Sequence, residues 1–429
     1  MLILMLDIEA LTLYNPWWAQ KKVPKIFLKE HKRPQFDLIK KHLTKKFILL
    51  LYGLRQVGKT TLLYQLIQYL LDKGTNPLTI FYFSFDEKTA DFKELLKIYQ
   101  EKILKKKLIN VNKVYVIFDE IQKIDDWQTK IKILYDTHPN IKILLSGSAS
   151  VSLQKQSRES LAGRIIDFFI KPLSFKEFLD WKKINFDLKR PEVYQSVIMP
   201  EFMDYLRKGG FPAIIKEKED EFIRNYLKNT VLERIIYRDL AAEFKLKDIE
   251  LLRLLLEMII KDPGMIINID RLARDLNRTK ITIASYLEYL KYALLIKEVR
   301  NLRAGFLVSS RKGKKIYPTN PAFCFAYRND FYKDSILQKI AEVVTADVLE
   351  AVYYYRNSME VDFVLKNKDT VAPVEVKYGK PDCRQIKDFL KKFSCKKGYL
   401  VSKEKSSSKI KNIKIIPLWQ LSLNPLSIS

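Results

Sequence analysis

The chain has 429 residues, 47% of them hydrophobic and 12% aromatic, which excludes a disordered protein and suggests two or three domains with cores of their own. Its 77 Lys and Arg against 50 Asp and Glu give a formal charge of +27. That excess points to phosphate backbones or anionic surfaces as partners, although base composition or growth at high temperature also enriches lysine.

At the N-terminus, "MLILMLDIEALTLY" is apolar but carries Asp7 and Glu9 and no basic leader. It resembles neither a signal peptide nor a membrane span, so a soluble cytoplasmic protein without a membrane partner is expected. Residues 1–46 form a basic N-terminal segment, with "NPWW" followed by a lysine-rich stretch from Lys21 to Lys46. The apolar runs "KFILLLYG", "LTIFYFSFDE", "KVYVIFDEIQ" and "NIKILLSGSAS" then alternate with helical patterns across residues 47–185. Continuous apolar strands separated by helices predict a parallel sheet covered on both faces.

The first run leads into "GLRQVGKTT", Gly53 to Thr61, which fits the G-x-x-x-x-G-K-[ST] pattern and opens a helix with Leu62, Leu63, Leu66, Ile67, Leu70 and Leu71 on one face. Such a loop cradles phosphates with the backbone N–H groups of Gly53, Arg55, Gln56, Val57, Gly58 and Thr61. Lys59 can reach the β- and γ-phosphates, and Thr60 can hold Mg²⁺. In "VYVIFDE" four apolar residues deliver Asp119 and Glu120 to a strand end, where open α/β sheets bind ligands. Asp119 suits the Mg²⁺ shell and Glu120 suits polarising a water. Ser146 and Ser148 end the next strand, where either could sense a γ-phosphate or simply cap a helix. Hydrolysis of this kind often uses an arginine from a neighbouring copy; Arg158 and Arg164 are candidates, Arg164 preferred, and a homo-oligomer would follow.

Residues 186–262 read as charged amphipathic helices forming a lid, broken by "KGGFPA". Residues 263–314 then run in winged-helix order: "DRLARDL", the turn "NRT", "KITIASYLEYLKYALL" and the strand "IKEVRNL". Arg278, Lys280, Thr282 and Ser285 lie near the start of the second helix, where they could reach phosphates and base edges. Ile283, Leu287, Leu290 and Leu294 make its apolar stripe, and "RKGKK" reads as a basic wing.

The motifs "GLRQVGKTTLL", "IFDEIQKIDDWQ", "LLSGSAS", "SLAGR", "PLSFKEF" and "GGFPA" stand in one order. In this the chain resembles, over nearly its whole length, the prokaryotic AAA-type P-loop ATPases that carry a C-terminal DUF4143 domain. Gln56 and Gln122 also recur in that family.

Residues 315–429 place Glu342 in the helical "SILQKIAEVVTADVL", Asp362 in the strand "EVDFVL", and Glu375 with Lys377 in "VAPVEVKYG". With a side-chain period of two, Glu375 and Lys377 share one strand face while Val374 and Val376 share the other. The order helix acid, strand acid, acid-x-lysine resembles the PD-(D/E)xK nuclease fold, without a proline before the strand acid. That resemblance implies Asp362 and Glu375 as ligands of Mg²⁺ or Mn²⁺, Glu342 as an outer or second-metal ligand, and Lys377 activating water or steadying the phosphate. Ion pairs closing a small α/β domain are the plainer alternative. Gln385, Lys387, Lys391 and Lys392 add a basic helix downstream.

The expected fold class is therefore α/β: a P-loop NTPase parallel sheet with a helical lid, a winged-helix domain and a C-terminal restriction-endonuclease-like α/β domain. The expected activity is Mg²⁺-dependent ATP hydrolysis coupled to DNA binding, with metal-dependent cleavage by the C-terminal domain and no small-molecule substrate beyond ATP. The alternative is an ATP-driven switch or assembly platform whose C-terminal domain binds nucleic acid or protein without cutting.

Overall fold

A computed structural model of the chain describes residues 8–86, 91–148, 160–302, 313–357, 359–367, 370–379, 382–404 and 410–426. The chain divides into two compact units, Met1–Lys171 and Pro172–Ser429.

The first unit is built on the expected apolar runs. Strands β1 (Ile48–Gly53), β2 (Ile80–Ser84), β3 (Val114–Asp119) and β4 (Ile141–Ser148) are joined by β5 (Ile165–Phe169) in a sheet of order β2-β3-β4-β1-β5. Every neighbouring pair is parallel. All residues of β3 and β4 are buried, as a sheet covered on both faces requires. β5 was not expected as a strand, because "IIDFF" lacks the buried run that marked the others: none of its residues is fully buried.

The N-terminal segment protects the opposite edge. The Asn15 side chain accepts from Tyr82 N (2.7 Å) and donates to Tyr82 O (2.9 Å), standing in for a missing strand neighbour. The indoles of Trp17 and Trp18 both donate to Ile80 O. "NPWW" thus occupies polar backbone groups that an open edge would offer to another chain.

The second unit holds helices over residues 195–208 and 249–261, where helices were expected, and an eight-stranded sheet. Its strands are β6 (Met265–Ile267), β7 (Ile296–Asn301), β8 (Lys314–Pro318), β9 (Tyr353–Arg356), β10 (Glu360–Lys366), β11 (Val371–Lys377), β12 (Gly398–Ser402) and β13 (Ile413–Pro417). The order is β13-β12-β11-β10-β9-β7-β8-β6. The helices Ile269–Asp275 and Lys280–Tyr292 follow β6 and precede β7, giving the expected element order. The strands do not stop at residue 314: β7 pairs with β8 on one side and in parallel with β9 on the other, so one sheet runs through both expected C-terminal domains.

Two details correct the sequence reading here. Leu294 lies past the end of its helix in the left-handed region (φ 59°) and does not extend the apolar stripe. Of the "RKGKK" wing, Arg311 and Lys312 lie outside the described residues, while Lys314 and Lys315 belong to β8. Lys314 pairs with Glu298 (3.0 Å), and Lys315 is buried.

Among the described residues, no helix is long and apolar enough to cross a membrane.

Candidate functional sites

In the first unit, the chain leaves β1 through a loop that glycine makes possible. A Cβ on Gly53 would stand 2.1 Å from Ile170 O, so the loop could not approach the end of β5 with any side chain there. Gly58 has φ +93° and caps the helix Lys59–Asp72. Gln56 is exposed and left-handed (φ 64°), Arg55 and Val57 are buried, and Thr61 is half-buried as the third residue of the helix. Arg33, from the basic N-terminal segment, donates to Val57 O (3.1 Å) and Lys171 O (2.8 Å), fixing the loop from behind.

The register then gathers the polar groups at the carboxyl ends of the strands, with Gly53 of β1 opposite Ser148 of β4. Lys59 is buried, and its ammonium folds back to donate to Leu54 O (2.9 Å) and Gly53 O (3.3 Å). Asp119 is the hub. Its Oδ2 accepts from the Thr60 hydroxyl (2.6 Å) and the Tyr82 hydroxyl (3.1 Å); its Oδ1 accepts from the Ser146 hydroxyl and from Glu120 N (3.1 Å).

Glu120 follows with a left-handed backbone, φ 53°. Gln122 Nε2 donates both to Glu120 Oε2 and to Ser148 Oγ (2.8 Å), which gives that glutamine a role the sequence had not supplied. Burial raises the Glu120 carboxyl above its ordinary value; the Asp119 charge adds to this, while Lys59, Arg55 and Gln122 oppose it.

This donor set fits a magnesium nucleotide. The loop and Lys59 can meet phosphate oxygens, and the Thr60 hydroxyl lies within hydrogen-bonding distance of the Asp119 carboxylate, as two groups sharing one small cation must. Ser146 is tied to Asp119, and Ser148 is linked to Glu120 through Gln122. Arg164 is half-buried and donates to Asp136 Oδ1 of its own chain at 2.9 Å. Arg158 lies outside the described residues.

In the second unit, antiparallel pairing of β10 with β11 sets Phe363 opposite Val374, which brings Asp362 beside Glu375 and Val376. Asp362 Oδ2 accepts from Val376 N (3.0 Å), and Asp362 N donates to Glu375 Oε2 (3.3 Å). Lys377 pairs with Glu375 Oε1 at 2.8 Å. The helix Asp334–Val348 is clamped to β11 by Gln338, which donates to Val376 O (2.8 Å) and accepts from Tyr378 N (2.7 Å). Glu342, one turn on, accepts from the Tyr317 hydroxyl at 3.0 Å.

The structure therefore assembles all four residues expected here, together with two that the sequence reading passed over. Lys315 and Tyr317 share one face of β8, a period-two pattern visible in "KKIYP" that reading the lysines as wing concealed. Lys315 donates to Glu360 Oε1 (2.9 Å) and lies 3.4 Å from Asp362 Oδ1.

Burial, together with the Asp362 charge, pushes Glu375 up to about 7 against the pull of Lys377. The same two causes push Glu342 up to about 7 against Lys315 and Tyr317. Burial pulls the Lys315 ammonium down, but Asp362, Glu342 and Glu360 outweigh it and hold it above the ordinary lysine value.

For a divalent metal at Asp362 and Glu375 the fit is poor. Each of their four carboxylate oxygens faces a donor of the chain, Lys315, Val376 N, Lys377 and Asp362 N, and unlike the neutral donors on Asp119 two of these are ammonium groups whose charge opposes a divalent ion. Among the described residues, no three His, Cys, Asp or Glu side chains group as metal ligands.

The expected DNA-reading residues lie at the start of the helix Lys280–Tyr292. Arg278 and Lys280 are exposed but paired, with Asp248 (2.7 Å) and Asp270. Thr282 is tied to the capping Thr279, and Ser285 is half-buried. Ile283, Leu287 and Leu290 are buried as expected. The helix Arg384–Lys392 buries Ile386 and Phe389 and exposes Arg384, Lys387, Lys391 and Lys392.

Residues 45–179 match an AAA domain, residues 336–421 a domain of unknown function, DUF4143, and residues 199–332 a further one, DUF8612. A Haemophilus influenzae protein is 25% identical over 389 residues, covering 86% of this chain and 92% of its own. A Methanocaldococcus jannaschii protein is 28% identical over 342 residues, covering 76% and 74%. Both are described as uncharacterized. Among solved structures, the Aeropyrum pernix ORC1 protein in complex with DNA is similar at 13% identity and a TM-score of 0.35, covering 73% of this chain and 96% of that one. AMPPCP-bound DnaA from Aquifex aeolicus is similar at 15% identity and a TM-score of 0.28, covering 65% and 92%.

Proposed function

We propose that this chain, which carries an AAA domain followed by a DUF4143 domain, hydrolyses ATP and couples hydrolysis to binding DNA. The observation that carries the reading is the convergence of Lys59, Thr60, Asp119 and Glu120 at the carboxyl ends of β1 and β3. Lys59 would release Gly53 O and Leu54 O to meet the β- and γ-phosphates, while Thr60 and Asp119 would hold Mg²⁺. The bound ion would neutralise charge on the phosphate oxygens. Glu120, steadied by Gln122, would orient the attacking water. Arg164 would exchange Asp136 for a nucleotide held by a second copy, which makes the active form a homo-oligomer.

DNA would meet two exposed basic regions, the start of the helix Lys280–Tyr292, read as the recognition helix of a winged helix, and the helix Arg384–Lys392. For the C-terminal domain one reading is cleavage, with Asp362 and Glu375 as ligands of Mg²⁺ or Mn²⁺ and Lys377 beside them. The other is binding of nucleic acid or protein without cutting. The internal donors on Asp362 and Glu375 favour the second.

ATP turnover with Mg²⁺ should disappear in Lys59→Ala and Glu120→Gln. Binding of linear, branched and single-stranded DNA should weaken steeply with salt, since phosphate contacts release counterions, and its affinity should differ between ATP and ADP. Turnover unaffected by Lys59→Ala, or DNA affinity indifferent to salt and to nucleotide, would refute the proposal.

A further inference from the structure

We infer that the resident cation of the C-terminal carboxylate cluster is the ammonium of Lys315, a tethered substitute for a divalent metal. The inference rests on the non-cutting reading of that domain and says what makes the site non-cutting. Lys315 arrives from β8, outside the helix and the two strands that carry the acids. Its ammonium donates to Glu360 Oε1 at 2.9 Å and stands 3.4 Å from Asp362 Oδ1. The Tyr354 ring lies 5.4 Å from the same nitrogen, so its stem and head are enclosed together.

The side chain is only 7% exposed, so water does not solvate the charge and the carboxylates must. A divalent ion held by Asp362 would lie within a few ångströms of this fixed positive charge, in a medium that screens poorly. The ion also needs carboxylate oxygens at roughly 2.0–2.6 Å, and Asp362 and Glu375 offer oxygens already turned toward Lys315, Val376 N, Lys377 and Asp362 N. Tyr317, on the same face of β8, completes the closure by donating to Glu342 Oε2 at 3.0 Å.

The test counts Mn²⁺ bound per chain, by the loss of the free-ion electron paramagnetic resonance signal, on full-length protein without nucleotide. The parent and Asp362→Asn should bind the same number. Lys315→Ala should bind one more, and that extra ion should be lost in the Lys315→Ala, Asp362→Asn double variant. A parent that binds one Mn²⁺ more than Asp362→Asn overturns the inference, and this comparison decides the matter even if Lys315→Ala fails to fold. A folded Lys315→Ala that gains no ion overturns it as well.

DNA added to the same samples separates the two failures. Extra Mn²⁺ in the parent without cleavage overturns the tethered cation and leaves the non-cutting reading standing. Cleavage that Asp362→Asn abolishes overturns both.

Discussion

Removing the hydroxyl of Tyr82 tests whether the N-terminal segment supports the nucleotide site through the sheet. Tyr82 is buried in the edge strand β2, its backbone is held on both sides by the Asn15 amide, and its hydroxyl donates to Asp119 Oδ2 at 3.1 Å. In Tyr82→Phe the ring keeps its packing, with Tyr64 at 5.1 Å and Trp17 at 6.3 Å, so the loss is confined to the hydrogen bonds of the hydroxyl, to Asp119 and to the Tyr64 side chain. A bond to a charged acceptor contributes about 1.5–3 kcal/mol. Asp119 retains Thr60, Ser146 and Glu120 N as donors, which places the loss at or just below the low end, about 1–1.5 kcal/mol. If that energy orients Asp119 toward Mg²⁺, the Mg²⁺ concentration giving half-maximal ATP turnover should rise roughly five- to twelvefold. The rate at saturating Mg²⁺ should change little, because the hydroxyl donates to Asp119 Oδ2 and not to Lys59 or Glu120. Turnover measured across a Mg²⁺ titration at fixed high ATP reads this directly. A midpoint within about twofold of the parent would refute the reasoning.

Two further outcomes concern stability. Glu342 and Glu375 both stand at about 7 in the folded chain against an ordinary 4.5, so the folded state holds protons that the unfolded state has released. Their contribution is complete below pH 4.5 and is lost as pH rises through about 7, which costs the second unit several kcal/mol. Urea midpoints at pH 5.5 and 8 should show this drop in the parent and a smaller one in Glu342→Gln; an equal drop in both would count against the assignment. In the first unit, Lys142 is buried on β4 and donates to the carbonyls of His42, Lys45 and Phe47 at 2.8, 2.7 and 2.6 Å. Lys142→Met leaves those acceptors without their donor and should destabilise the unit by about 1–3 kcal/mol, read as a lowered urea midpoint; no loss would mean that water replaces the ammonium.

How much of this was legible in the sequence depended on how local the cause was. β1, β3 and β4 were read correctly because burial on both faces leaves an uninterrupted apolar run, and the phosphate loop because Gly53, Gly58, Lys59 and Thr60 are contiguous. β5 was missed because it is an edge strand, half-covered, whose "IIDFF" carries an aspartate where an interior strand would be apolar. Tyr82 was hidden for a related reason: among the phenylalanines of "IFYFS" it reads as one more aromatic, and only the pairing of Ser84 with Asp119 brings its hydroxyl to the site.

The C-terminal cluster carries the same lesson with the opposite sign. Its acids were legible, since alternation on β10 and β11 orients Asp362 and Glu375 and helical order adds Glu342. Their environment was not, because it is supplied by a residue 47 positions before Asp362. Lysines in "RKGKK" look solvated when the chain is read as a wing, and Lys315 is buried only because β7 pairs with β8 along part of its length and with β9 beyond it, joining the strands of two expected domains. A set of acids and a lysine in the right order specifies a scaffold. What the scaffold can hold depends on the charge the rest of the fold places among them, and here that charge is already an ammonium.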